Sequence, residues 1–381
     1  MYRIFQGDDL IYAPNIKEYA VIDPVCTMEI NQAGTLEFTL LPDNPMWDSI
    51  EFLTGTIFLY NDDELIWYGR PKSVNENLWG YRKITCEGAL GFLNDVMWEP
   101  TTYSYSWNYS AYAVAEIFIN RYNDKKTTSG ELNRIIHLMQ DVNYPWETRT
   151  GERLFKWIDW QNGLLFLQSL LNDYGGYAKC EWNGTDTNLI LSSDFGEVID
   201  QPIEFGKNMM DLDRYLDTSA IYTAVVPLGE RYKYAAGTSR RMQRPIQINS
   251  AGVARYGYIE KEFILEGYSS VSDIDAPASE FLQQGILGAT TLDLKAIDLS
   301  LVTDNLDAFT IGVSIPVKSE KHGLDTTVMC SQCVLHLDAP ENNEYTLGTP
   351  AQNYTTMMSE QFLEAQYTSN RLGHDITMLQ S

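Results

Sequence analysis

The chain has 381 residues, 44% of them hydrophobic and 12% aromatic, with a formal net charge of −25. That length divides into two to four domains of about 100–150 residues each. So acidic a chain lacks the general basic surface that phosphate contacts require, and no run reaches the roughly 18 consecutive apolar residues of a membrane helix.

Residues 1–95 read as strands. TLEFTLL (35–41) alternates Leu36, Phe38 and Leu40 against Thr35, Glu37 and Thr39, the period of a half-buried strand. PDNP (42–45) marks a turn. A hairpin is predicted from strand 55–60, turn 61–63 and strand 64–68, with Gly69 breaking it before a further strand. In ITCEGALGFLND (84–95) the period changes: Ile84, Cys86 and Gly88 alternate, then Ala89, Leu90, Phe92 and Leu93 cluster as on a helix. A strand hands over to a short helix there, as at the closure of a small barrel.

Residues 96–200 change character. A helix with Ser110 as cap shows Val114, Ile117, Phe118 and Tyr122 on one face. NGLLFLQSLLNDYGG gives a second helix, capped by Asn162, striped by Leu164, Leu167, Leu171 and Tyr174, and stopped by Gly175. A hairpin follows in GYAKCEW and LILSS. Beyond residue 203 strands return: one at 219–229, a return strand near 245–248, a helix from Asp275 with Pro277 in its first turn, and an alternating strand at 290–301. Further strands lie in IGVSIPVKS and MCSQCVLHLDAP. The polar helical tail from 351 carries Met357, Met358, Phe362 and Ala365 as a thin apolar seam suited to association.

Chemistry-bearing residues are sparse. His137, His322, His336 and His374 show no metal-ligand spacing, and no G-x-S-x-G elbow occurs. Cys330 and Cys333 form a C-x-x-C inside a strand, where residues three apart face opposite sides. DLDRYLD (211–217) spaces three aspartates as a calcium loop does, but the loop glycine is missing and Tyr222 stands where a bidentate Glu is required; a solvated acidic turn is the expectation. TTYSYSWNYSAY (101–112) is aromatic enough for sugar stacking, but loop packing suits it better. Five cysteines and no secretory leader point to folding in a reducing cytoplasm, with no disulfide framework. No cofactor is expected.

The order of these features resembles the phage tail family known as prophage endopeptidase tail, the tail-associated hub proteins of long-tailed phages. IWYGR…RKITCEGALGFLND is similar to the family's N-terminal barrel, and AVAEIFINRYN with LLFLQSLLNDYGGY to its second domain. The stretch from TTLDLKAIDLSL to EYTLG, with Asp298–Leu299, an F-x-I-G strand and an H-G-L-D loop, carries the resemblance furthest.

The resemblance implies an α+β, mainly β, multidomain baseplate-hub-like fold with two barrel-like ring domains and two smaller α+β domains. On this chain they fall at 1–97 (first ring domain), 98–202 (α+β), 203–249 with 306–350 (second ring domain), 250–305 (inserted α+β) and 351–381 (helical tail). It implies a homotrimer at the tail tip of a virion, made in the host cytoplasm. Its partners would be the distal tail ring, the tape measure protein and receptor-binding or fibre proteins, with DNA passing unbound. The alternative is a peptidase or peptidoglycan hydrolase acting at cell entry, or the hub of a phage-tail-like particle with receptor binding. The chain stops at Ser381 without a hydrolase extension and shows no catalytic motif, so no enzyme is expected. RYKYAAGTSRRMQR (231–244) holds Arg231, Lys233, Arg240, Arg241 and Arg244 and no acid. It is expected to form an exposed hairpin that clamps a neighbouring protomer or ring.

Overall fold

The computed structural model describes residues 1–98, 111–131, 134–140, 161–174, 176–192, 198–217, 221–233, 239–264, 271–287, 289–301 and 306–348. In the first segment, period-two patterning sets seven strands: β1 (Tyr2–Gln6), β2 (Asp9–Tyr12), β3 (Val21–Glu29), β4 (Thr35–Leu40), β5 (Ile57–Asn61), β6 (Glu64–Glu76) and β7 (Arg82–Gly88). They pair antiparallel in the order β3-β4-β7-β6-β5-β1-β2. Leu36, Phe38 and Leu40 are buried, as the alternation requires. β6 does not break at Gly69. Gly69 sits opposite Gly88, and a Cβ at 69 would stand 2.1 Å from the Glu87 carbonyl oxygen. Glycine there admits the neighbouring strand, so it keeps β6 paired. The irregularity falls later, as a bulge between Pro71 and Ser73, where a proline without an N–H is tolerated. β7 then passes into a 3-10 helix, Ala89–Asp95, with Ala89, Leu90, Phe92 and Leu93 buried.

The second segment begins with the short β8 (Met97–Trp98), then α1 (Ala111–Ser129) and β9 (Ile136–Gln140). β10 (Gln161–Asn162), α2 (Gly163–Tyr174), β11 (Tyr177–Trp182) and β12 (Thr187–Ser192) follow. β12 runs antiparallel to β11 and parallel to β9. Asn162 caps α2, its Oδ1 accepting from the Leu165 N–H at 2.9 Å. α1 is turned from the expected face: Ala115, Phe118, Ile119, Tyr122 and the stem of Lys126 are buried, while Val114 and Ile117 are half-buried. Trp98 stacks on Phe166 at 4.7 Å within a core that takes in Phe58 and Tyr68 of the first sheet. Ser110, Gly175 and the aromatic run 101–110 lie outside the described residues.

The third segment comprises β13 (Ile203–Glu204), β14 (Met209–Asp217), β15 (Ala224–Lys233), β16 (Ser239–Gln243), β17 (Gln247–Ile248), α3 (Ser250–Tyr256), β18 (Glu260–Ile264), α4 (Asp275–Leu287), β19 (Ala289–Ala296), β20 (Ser314–Ser319), β21 (Leu324–His336) and β22 (Glu344–Leu347). The acidic run expected as a solvated turn is instead strand β14, paired antiparallel with β19 along its length. Its Asp211 and Asp213 are exposed and Leu212 between them is half-buried, the alternation of a strand. Tyr222 is buried, its ring stacked on Phe281 at 4.8 Å and its hydroxyl donating to the Phe281 carbonyl at 2.7 Å. The strand expected at 219–229 begins at Ala224 and continues to Lys233.

The strands of this segment fall into two sheets. β15 to β18 form one four-stranded sheet under α4, whereas β19 joins β14 and β22 in the large sheet. β15, β16 and β17, from the stretch 203–249, thus share a sheet with β18 from 250–305, while β19 from 250–305 lies in the large sheet. The alternation of β19 was visible in the residues; its partner, some 80 positions earlier in the chain, was not. The large sheet runs β14-β19-β22-β21-β3-β4-β7-β6-β5-β1-β2, with β20 on β21 and β13 on β20. β3 and β21 pair from Val25 and His336 to Glu29 and Gln332, so the first and third segments share a continuous sheet and one apolar core. The protein is mainly β. Within the stretch that carried the resemblance, Asp298 is buried: its Oδ1 accepts from Gln201 Nε2 (2.9 Å) and Ser300 N (3.0 Å), its Oδ2 from Phe309 N (3.0 Å).

Candidate assembly surface

The basic segment 231–244 forms a hairpin of β15 and β16. Lys233 pairs with Ser239, Tyr232 with Arg240 and Arg231 with Arg241; the tip, 234–238, lies outside the described residues. Arg231 and Arg240 are exposed. Arg231 and Arg241 stand directly across the ladder. Arg241 Nη1 donates to the Gly229 carbonyl at 3.1 Å.

Arg244 has a partner within the chain. Its Nε donates to Asp275 Oδ1 at 2.9 Å and its Nη2 to Asp275 Oδ2, while Gln247 Nε2 donates to the Asp275 carbonyl at 2.7 Å. The hydrogen bond from Arg244 holds the Asp275 carboxyl below its ordinary range. Arg244 thus ties the base of the hairpin to the first turn of α4, where a carboxylate also suits the helix dipole. Met357, Met358 and Phe362 lie outside the described residues.

A second surface was missed in the sequence. Beyond Pro71 the β6–β7 hairpin leaves the core, and residues 72–79 are exposed. At its tip Leu78 is 92% and Trp79 76% exposed. The turn beneath them is well built. Asn77 Oδ1 accepts from the N–H groups of Trp79 (2.9 Å) and Tyr81 (3.0 Å), and Gly80 takes the left-handed φ of 75°. Trp47 Nε1 donates to the Gly80 carbonyl at 2.9 Å, and the Arg82 guanidinium lies 3.4 Å over the Trp47 ring. The finger is anchored at its base and apolar at its end. The signal was NENLWGY itself, two large apolar residues inside a polar turn.

The residues weighed for catalysis are scattered. His137, on β9, meets Asp186 at 3.2 Å on the surface; His322 Nδ1 meets Ser319 Oγ at 2.7 Å; His336 ends β21; His374 lies outside the described residues. Among the described residues no three His, Cys, Asp or Glu side chains converge as metal ligands. Cys330 and Cys333 do not face opposite sides. A bulge between Cys330 and Gln332 shifts the phase of β21, and both thiols are buried in one core. The hydrogen bond between the two thiols, and then burial, push Cys330 up, which disfavours the nucleophilic thiolate.

The fold is similar to that of phage tail proteins. It matches prophage tail protein gp18 of Listeria monocytogenes EGD-e with a TM-score of 0.57 at 12% identity, over 94% of this chain and 97% of that one. It matches the 43 kDa tail protein of prophage MuSo2 from Shewanella oneidensis with a TM-score of 0.58 at 10% identity, over 91% and 97%. The tail protein of Neisseria meningitidis MC58 matches at 0.57 and 14% identity, over 91% and 96%. No curated protein matches by sequence. Residues 198–358 match the family model described as prophage endopeptidase tail, and with the shared fold this supports a phage tail protein of that family.

Proposed function

We propose that the chain is a structural virion protein, a homotrimeric hub at the tail tip that ends the tail tube and joins the distal tail ring to the parts below. What carries the reading is the fold shared with phage tail proteins over nearly the full length of both chains. The partners in this reading are the distal tail ring, the tape measure protein and receptor-binding or fibre proteins. The hub gates a channel through which DNA passes unbound. The acidity suits that passage: residues 1–100 alone hold 16 acidic and six basic residues, and phosphates are held by Lys and Arg. The exposed basic hairpin and the apolar finger supply contacts between protomers or to the next ring. No enzymatic step belongs to this role.

Light scattering on the purified protein, with images of the assembled particle, tests the reading. A trimer, or a monomer that trimerises at the tail tip, is expected, with no shift of duplex DNA in a gel at about 50 mM salt. A stable dimer, or tight DNA binding, overturns it.

A further inference from the structure

The small sheet of the third segment has two outer edges of opposite charge. β15 is its central strand; β16 and β17 run antiparallel to it and β18 parallel to it. Neither β16 nor β18 pairs with another strand among the described residues. On β18, Glu260, Lys261 and Glu262 are all exposed. Lys261 is opposite Val225, on the face that α4 covers, and its ammonium stands 5.0 Å from the Tyr222 ring and 5.7 Å from that of Phe281. Alternation sends Glu260 and Glu262 to the other face, where they form no ion pair among the described residues. The Tyr258 hydroxyl reaches Glu260.

The basic edge has the matching phase. Leu228 lies opposite both Ile264 on β18 and Gln243 on β16. Ile264 shares a face with Glu262 and Glu260, and Gln243 shares it with Arg241, which faces Arg231. One face of the sheet therefore carries two carboxylates at one edge and two opposed guanidinium groups at the other. Adding a strand to a free edge continues the sheet without exchanging its faces.

We propose that the β16 edge of one copy of this chain docks on the β18 edge of a second copy, with Arg231 and Arg241 set against Glu260 and Glu262. The contact joins two different patches. It is therefore head-to-tail and closes into a ring when the rotation allows. It sets opposite charges together and covers both edges. The proposal rests on the reading of the chain as a ring-forming tail protein and names the surfaces that meet.

Three variants of the full chain test it: Arg231→Glu with Arg241→Glu, Glu260→Lys with Glu262→Lys, and all four together. These side chains are exposed, or half-exposed at Arg241, so the thermal midpoint should change little. Sedimentation velocity at low and high salt reads the association. Each double variant should weaken self-association at least ~10-fold, and the fourfold variant should recover most of it; wild-type association should fall as salt screens the pair. Unchanged assembly in both double variants overturns this contact and leaves the ring reading standing. Failure of the fourfold variant to recover also overturns the contact. A wild-type chain that stays monomeric in solution and on the assembled tail overturns both.

Discussion

Arg70 and Asp95 meet through two parallel hydrogen bonds, Nη1 to Oδ2 at 2.7 Å and Nη2 to Oδ1 at 2.6 Å. The same guanidinium donates to Glu87 Oε1 from Nε at 2.9 Å and Nη2 at 2.6 Å, and lies 5.3 Å from the Phe92 ring. Glu87 is near the end of β7 and Asp95 ends the 3-10 helix, so the turn between them brings both carboxylates onto one arginine. Lys126 of α1 extends the network, bonding Asp95 at 2.8 Å and Glu131 at 2.7 Å. The acids of ITCEGALGFLND are architecture: they bolt the first sheet to the helix of the second segment.

Removing one member of such a network strands the others in a poorly solvated site, which costs more than the paired network gains. Arg70→Ala is expected to lower stability by about 3–5 kcal/mol. Replacing Arg70 by Met together with Glu87→Gln and Asp95→Asn should cost less than Arg70→Ala. Urea unfolding of the two variants checks the order; equal loss would show that packing, not stranded charge, sets the cost.

The network also sets an acid limit. Burial alone would raise Asp95, but the hydrogen bonds from Arg70 and Lys126 outweigh it and hold Asp95 below its ordinary 3.8. The bond from Lys126 likewise holds Glu131 below 4.5. Both carboxyls are lowered by folding, so each contributes stability that is present above its ordinary value and is lost as pH falls through the lowered one. Thermal midpoints should hold from pH 7 to about 5 and fall below about 4.5. Lys126→Met should flatten that fall, and an unchanged acid limb in this variant would remove Asp95 and Glu131 as its cause.

Gly69 and Gly88 face each other across β6 and β7. A Cβ on Gly88 would stand 1.9 Å from the Ala33 carbonyl oxygen, as one on Gly69 would from Glu87 at 2.1 Å. Both obstacles are backbone, which cannot swing aside as a side chain can. Gly69→Ala and Gly88→Ala should each cost about 2–3 kcal/mol or more, as overpacked sites do. Gly130→Ala, with nothing within 4 Å but a φ of +82°, should cost about 1 kcal/mol from backbone strain alone. Equal losses at all three positions in denaturant titrations would contradict the close-approach account.

How far the residues announced this structure depends on the range of each interaction. Alternation in β4 and β19 was legible because it reports one strand's own two faces. So was the cap at Asn162, a contact three residues long. Gly69 misled because it is a breaker by local propensity, whereas here a neighbouring strand demands the glycine. The phase of Cys330 and Cys333 was hidden for the same reason: one extra residue at a bulge reverses it. Arg244 read as free charge because Asp275, its partner, is 31 positions away. The finger at Leu78 and Trp79 was in plain view, but only the sheet shows that the core ends before it.

That finger gives a clean separation of folding from assembly. Trp79→Ala removes a side chain 76% exposed and should change stability by less than about 0.5 kcal/mol. Trp47→Ala, which removes the ring under Arg82 and the bond to Gly80, should cost more, about 1–2 kcal/mol. If the tip serves attachment, Trp79→Ala particles will show reduced assembly although the protein melts as wild type. Assembly equal to wild type in that variant would make the tip a bystander.

The same placement of residues bears on hydrolysis. A metal hydrolase brings three ligands to one ion, and the three described histidines stand on separate elements, two of them engaged by Asp186 and Ser319. A thiol nucleophile needs an exposed, electropositive setting. Cys26, Cys86, Cys330 and Cys333 are instead fully buried, with Cys26 and Cys86 pushed up by burial. Purified protein is therefore expected to leave peptidoglycan and casein intact, with zinc or with chelator. Substituting His137, His322 or Cys180 should alter no turnover, because none should exist above the buffer control. Digestion that survives repurification and is abolished by a single histidine or cysteine substitution would overturn this and turn the tail protein into a cell-wall enzyme.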